Sequence, residues 1–200
     1  MNTSYAKAET LTSAVIYPLD VTRQVMLVVG FSLLTALSAQ LVIPLPWTPV
    51  PITGQTFVVL LAGALLGSRM GAMAMIAYLI EGASGLPFFH AGSGGLPYLL
   101  ASPTTGYLLA YPLAAFATGL LAERGWDRRF LTAAAAMAIG SMLILFGGWA
   151  WMSLWFKTGT GALRAGVLPF LGGDAVKIAL AAAALPACWK IVRRRASERD

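Results

Sequence analysis

Two ionisable residues lie three positions apart within an otherwise apolar segment near the carboxyl end of the chain. On a helix, Asp174 and Lys177 would share one face. Ionisable groups at membrane depth cost free energy and usually mark a substrate path or a mutual pair. The pair therefore predicts a ligand site, and Gly172-Gly173 suits a helix start that a ligand approaches closely. The alternative is a structural ion pair near the membrane surface, with Lys177 reaching outward.

Several other polar residues have apolar neighbours. Thr53, Gln55 and Thr56 would be unfavourable on a lipid-facing helix, so we expect them to point into a helix bundle. Glu81 lies near the outer end of an apolar run, where it faces either the same vestibule or the interfacial water. His90 follows two phenylalanines and is interpreted as an interfacial residue rather than as a ligand or a proton relay.

Common catalytic and metal-binding patterns are missing from the sequence. The run Gly92-Ser93-Gly94-Gly95 is not closed by Gly-Lys-Ser/Thr, so it predicts a tight re-entrant turn under a ligand rather than a phosphate loop. The single Cys188 excludes an intramolecular disulfide, and one cysteine with one histidine cannot form a zinc site. We therefore expect no catalytic residues, no metal and no cofactor.

A stripe of small residues runs along the first apolar segment. Ser32, Thr35, Ala36 and Ala39 occupy positions i, i+3, i+4 and i+7, so another helix can come close to that face. The residues alone favour packing within this protein. The alternative is docking of a partner subunit.

The elements that position all these residues are predicted to be membrane helices. The chain of 200 residues is 58% hydrophobic and only 11% charged, whereas ordinary domains carry roughly a quarter charged residues. Positions 24 to 68 contain no ionisable side chain. The basic residues lie at the ends of apolar runs and form no stripe with aromatics, which excludes a nucleic-acid partner and leaves membrane lipid.

The predicted class is an all-α membrane protein with six transmembrane helices and a re-entrant or extended outer loop region. A polar or interfacial leader covers residues 1–22, the membrane domain residues 23–192 and a basic cytoplasmic tail residues 193–200. The proline-rich segment 44–51 is predicted to be a stiff, extended loop. The six spans are predicted at residues 24–43, 54–67, 70–86, 105–122, 130–156 and 174–189.

The distribution of basic residues predicts the orientation of these spans. If both termini are cytoplasmic, eleven of the fourteen lysines and arginines lie on the cytoplasmic side, as the positive-inside rule requires. The three on the outer side are Lys157, Arg164 and Lys177.

Five segments resemble those of the BioY family in order and spacing. They are residues 49–57, 78–89, 92–95, 103–107 and 168–177. The sequence departs from the family pattern at Ser102 and Thr105, where glycines are usual, at Gly172, where proline is common, and at His90, where a small residue is expected.

The resemblance implies a six-helix substrate-binding component (S component) of an energy-coupling factor transporter in a prokaryotic cytoplasmic membrane. It implies biotin as the ligand, and a transmembrane coupling protein with ATPase subunits as partners. It also favours the docking interpretation of the small-residue stripe. The alternatives are an S component for another vitamin, a small intramembrane enzyme and a structural assembly protein. The implied substrate-binding residues are Asp174, Lys177, Thr53, Gln55, Glu81, Gly94 and Tyr107.

Overall fold

The computed structural model describes residues 10–16 and 18–197, and helices dominate this part of the chain. A two-residue antiparallel pair, β1 (Val42–Ile43) and β2 (Ile52–Thr53), interrupts them. Single 3₁₀ turns form at His90–Gly92 and Trp126–Arg128. The α-helices are α1 (Leu11–Val15), α2 (Val21–Ser38), α3 (Gln55–Leu66), α4 (Ser68–Ala83), α5 (Leu96–Ala101), α6 (Thr105–Glu123), α7 (Phe130–Phe156), α8 (Gly159–Gly166) and α9 (Leu168–Ser197).

Four of these helices are long and apolar enough to cross a membrane. They are α2, α6, α7 and the Leu168–Arg194 part of α9. Helices α3 and α4 contain 12 and 16 residues, so they extend about 18 and 24 Å. Large apolar side chains cover the outside of the bundle, such as Leu131, which is 80% exposed. The predicted all-α membrane class is therefore confirmed, while the number of crossings stays a prediction.

Helix α6 lies at the centre of the bundle and packs against α3, α4 and α7. Its apolar window is 61% buried, against 39% for α7 and 22% for α2. Small residues permit this burial because they let backbones approach closely. A Cβ atom on Gly106 of α6 would lie 2.2 Å from the carbonyl oxygen of Gly147 on α7. Pro112 lies inside α6.

The proline-rich segment forms the tip of a short hairpin. Val42 pairs with Thr53 and Ile43 with Ile52, so α2 ends at Ser38 rather than at residue 43 as predicted. Four prolines in residues 44–51 prevent a helix there, since each lacks an amide donor and fixes φ. Val50 at the end of this loop is buried.

Helix forms within the segments that were predicted as leader and tail. Part of the predicted leader forms α1, which Thr10 caps and which buries Leu11 and Ala14 against the bundle. Residues 1–9 and Tyr17 of the predicted leader lie outside the described residues. Helix α9 continues through the predicted boundary at residue 193 and ends at Ser197. Residues 198–200 of the predicted tail also lie outside the described part.

At the end of α6, away from the start of α9, polar contacts join elements that are not neighbours in sequence. Glu123 accepts hydrogen bonds from the backbone N–H and the hydroxyl of Ser68, at 2.6 and 2.9 Å. The buried carboxylate of Asp127, in the turn before α7, accepts a hydrogen bond from the Trp189 indole of α9 at 2.5 Å. The Arg128 guanidinium lies 4.7 Å from the centre of that indole. Burial raises the pKa of Asp127, although Trp189 and Arg128 oppose the shift.

Candidate functional site

A cavity opens near the end of the bundle where α3, α6 and α9 begin, and the space between its walls, including the part open to solvent, is about 550 Å³. Most of its wall is apolar or aromatic, with a few polar groups among them, which is the usual composition of a small-molecule site. The lining residues are Val50, Pro51, Thr53, Gln55, Thr56, Phe89, His90, Tyr98, Thr104, Tyr107, Leu108, Tyr111, Ile144, Leu145, Phe170, Asp174 and Lys177.

Asp174 and Lys177 line this cavity from one face of α9, as their spacing predicts. The Lys177 Nζ atom lies 3.6 Å from Oδ1 of Asp174. Asp174 is 7% exposed, and its Oδ2 accepts a hydrogen bond from the Ser141 hydroxyl of α7 at 2.5 Å. A buried carboxylate with one oxygen held in this way presents a fixed hydrogen-bond acceptor to a ligand.

The expected helix start at Gly172-Gly173 is wrong. Helix α9 begins at Leu168, with Pro169 in its first turn, where a missing amide donor costs nothing. Gly172 and Gly173 lie inside the helix, and a Cβ on either would meet nothing within 4 Å. The close ligand approach predicted for these two glycines therefore has no support in the structure.

Lys177 joins α9 to the beginning of α3. Its Nζ donates to the Thr53 carbonyl oxygen at 3.0 Å and to the Thr56 hydroxyl at 2.6 Å. Thr53 also donates to Gln55 Oε1 at 2.9 Å, and the buried Gln55 amide donates to the Tyr78 hydroxyl at 2.5 Å. Thr53, Gln55 and Thr56 therefore point into the bundle as predicted.

Two tyrosines of α6 line the cavity. Tyr107, a predicted site residue, donates to the Gly166 carbonyl oxygen at 2.5 Å and lies 3.3 Å from Met152 Sδ. Tyr111 is 3% exposed and lines the same wall. It was not predicted from the sequence, although its spacing of four from Tyr107 puts the two on one helix face.

The segment after α4 supplies the rest of the wall, including His90. The His90 Nδ1 atom lies 2.5 Å from the Tyr98 hydroxyl, which in turn lies 3.2 Å from Thr104 Oγ1. The buried Phe89 stacks on Tyr98 with ring centres 5.4 Å apart. Desolvation by burial lowers the pKa of His90. Tyr98 thus holds the His90 ring against the cavity wall, and the interfacial position of His90 stays a prediction.

Gln40, which sequence reasoning missed, ties this segment to the end of α2. Its amide nitrogen donates to the carbonyl oxygens of Pro87 and Phe89, at 3.3 and 3.2 Å. Its Oε1 accepts from the Gly92 amide at 2.9 Å. A lone glutamine after a membrane helix carries no pattern, so only the folded structure shows this role.

Two predicted site residues do not line the cavity. Glu81 accepts a hydrogen bond from Ser32 of α2 and so faces the α2–α4 contact. Gly94 packs against the backbone of Leu86, whose carbonyl oxygen would lie 2.2 Å from a Cβ at this position. Gly94 therefore permits the tight turn that was predicted, without contacting the cavity.

The small-residue stripe of α2 is buried within the chain. Ser32, Thr35 and Ala39 have no exposed surface, and Ala36 is 6% exposed. Thr35 lies 4.0 Å from Met75 Sδ of α4. These contacts fit the internal-packing alternative, and docking through the stripe stays a prediction.

Fold and site together define a class: multi-pass α-helical membrane proteins with a mostly apolar cavity at one end of the bundle. The chain belongs to the BioY family, whose family model matches residues 4–194. The match covers every helix of the bundle up to the last turn of α9.

Individual relatives are similar over most of their length. A probable biotin transporter BioY of Pyrococcus horikoshii is 40% identical over 159 residues, which cover 80% of this chain and 91% of the relative. The biotin transporter BioY of Rhizobium etli is 36% identical over 169 residues, covering 80% and 90%. The fold matches a crystal structure at 2.1 Å of the S-component for biotin from an ECF-type ABC transporter. That match has a TM-score of 0.77 at 24% identity and covers 84% of this chain and 92% of that one.

Proposed function

We propose that this chain binds biotin in the cavity and serves as the substrate-binding subunit of a biotin uptake system in the cell membrane. Family membership carries the proposal. Relatives that are 40% and 36% identical to this chain, over alignments that cover 80% of it, are named biotin transporters. The family also makes the chain a transport protein rather than an enzyme.

The chemistry of the cavity supports biotin as the ligand. Biotin has an apolar thioether bicycle, a ureido group with two N–H donors and a carbonyl, and a carboxylate tail. The apolar wall of Leu108, Ile144 and Phe170 suits the bicycle. The Asp174 carboxylate, which accepts hydrogen bonds only, suits the ureido N–H groups. Another vitamin with a similar cyclic urea or amide is the second candidate, and a panel of vitamins in the same binding assay separates the two.

The proposal extends to six crossings, with α3 and α4 as the two short spans and both termini in the cytoplasm. The asymmetry of basic residues supports this orientation. On that orientation the cavity opens to the outer face, where biotin arrives. The likeness of the fold to an S-component supports a transmembrane coupling protein and ATPase subunits as partners.

Titration calorimetry with biotin on the detergent-solubilised protein tests the function. Wild type should bind, and Asp174→Asn and Lys177→Ala should each weaken binding about tenfold or more. A hydrogen bond to a charged group contributes about 1.5–3 kcal/mol, and every 1.4 kcal/mol is about tenfold in affinity. Asp20→Asn and Lys190→Ala remove the same charges at exposed positions and should leave affinity unchanged.

Thermal melts of all four variants confirm folding. If the wild-type protein shows no binding of biotin in the titration, the proposed function is wrong. Near-wild-type affinity in both cavity variants would instead mean that the ion pair is structural and that the ligand lies elsewhere.

A further inference from the structure

The Tyr111 hydroxyl has no hydrogen-bond partner among the described residues. Tyr111 is 3% exposed as a whole residue and lines the cavity. The neighbouring tyrosines differ: Tyr78 donates to the Phe88 carbonyl oxygen and Tyr107 to that of Gly166. A hydroxyl at a cavity wall that no protein group engages is available to donate to a ligand.

Two of the three donors of Lys177 are engaged by the protein. An ammonium group has three N–H bonds. Two of them meet Thr53 O and Thr56 Oγ1, and Asp174 Oδ1 lies 3.6 Å from the same nitrogen. Lys177 therefore has one N–H left for a ligand, and that one lies beside the Asp174 carboxylate. Tyr111 can donate without breaking any contact.

Tyr111 and Asp174 both line the cavity. The cavity therefore presents a carboxylate acceptor and a hydroxyl donor to one ligand. A cyclic urea carries the complementary pair, an N–H donor directly beside a carbonyl acceptor. A carboxylate alone would accept hydrogen bonds from the N–H groups of the urea and leave its carbonyl oxygen without a donor.

We propose that the Tyr111 hydroxyl donates to the ureido carbonyl oxygen of the ligand while Asp174 accepts from an adjacent N–H, which makes Tyr111 a specificity-determining residue. The inference rests on the proposed function, because it names the contact by which that ligand is recognised. A site built to hydrogen-bond a polar atom rejects analogues that lack it, since its own group is then left unpaired. Tyr111 would thus select for the carbonyl oxygen.

The test pairs a side-chain change with a ligand change. Wild type and Tyr111→Phe are titrated with biotin and with its thiocarbonyl analogue, in which sulfur, a weak acceptor, replaces the ureido oxygen. Tyr111→Phe should lower biotin affinity about fivefold to tenfold, as expected for one lost hydrogen bond. Affinity for the thiocarbonyl analogue should change by less than about twofold, so the variant discriminates less between the two ligands than wild type does.

Tyr107→Phe is the matched comparison. It removes a hydroxyl that is bonded to Gly166, so any effect should act through packing and lower both affinities by the same factor. Equal losses for both ligands in Tyr111→Phe, or no loss for either, would overturn the proposal. A wild type that binds both ligands equally would also overturn it, without use of a variant. If wild type binds no biotin at all, the proposed function is wrong, and this inference, which depends on it, is wrong as well.

Discussion

Lys177 links two parts of the chain that are 124 residues apart in sequence, from α9 to the Thr53 carbonyl oxygen. Its pairing with Asp174 follows from a spacing of three on a helix, so the sequence predicts it. Its contacts with Thr53 and Thr56 do not follow, because no local pattern encodes which distant segment packs against a helix face. The same limit explains why two contributions were missed: Tyr98 as part of the wall, and Gln40 as the residue that ties the wall segment to α2.

His90, the one histidine of the chain, should make stability depend on pH. Its pKa is lowered by burial, so below about pH 6.5 the unfolded chain takes up a proton on this residue more readily than the folded protein does. Stability is therefore lost as the pH falls. Between about pH 7.5 and pH 5.5, the Tm of wild type should fall about 1 to 3 °C further than that of His90→Gln.

Thermal melts of the ligand-free proteins at several pH values give this difference. Tyr98, Asp174 and Lys177 face the same cavity and are present in both proteins, so subtraction leaves the contribution of His90. Parallel pH profiles for the two proteins would show that the histidine does not titrate differently on folding.

At the scale of elements, α2 has a buried face and an exposed face that meet at adjacent residues. Ala36 is 6% exposed and Leu37 is 68% exposed. If the stripe serves internal packing, Ala36→Trp should overpack the α2–α4 contact and cost about 1–3 kcal/mol of stability, a Tm loss of several degrees. Leu37→Trp should cost little, because that side chain points away from the bundle.

Melting of the two variants, without partners, distinguishes packing from docking. An Ala36→Trp protein that melts like wild type, and loses only its partners on co-purification, would support docking instead.

Helix ends were the least predictable feature of the elements. The apolar runs predict that helices exist, and α7 covers residues 130–156 as expected. Residues 39–43 are as apolar as the helix before them, but they leave α2 because Val42 and Ile43 pair with β2. Strand pairing therefore outweighs hydropathy at that point. The start of α9 is a second case, because the helix begins next to Pro169 and not at the glycine pair.

For the whole molecule, the positive-inside distribution predicts which side each loop occupies. Cysteines are introduced at Arg124 and Thr160 in a Cys188→Ser background, since Cys188 is the single native thiol. Both sites are exposed. Arg124 is preferred to its neighbour Gly125, whose φ of 82° disfavours a side chain. An impermeant thiol reagent on intact cells should label position 160 and leave position 124 unlabelled until the cells are opened. Labelling at 124 but not at 160 would reverse the topology.

Helix α9 is held at both of its ends by groups that are remote from each other. Near its start, Ser141, Thr53 and Thr56 hold Asp174 and Lys177. Roughly 22 Å further along, at the usual helical rise, Asp127 holds Trp189. One helix, with Pro186 inside it, therefore connects the cavity to the Asp127 contact on the other side of the bundle. A mutational scan for weakened ligand binding should identify positions around Trp189, although these residues do not contact the ligand. Hits from such a scan should therefore not be discarded because they lie far from the cavity.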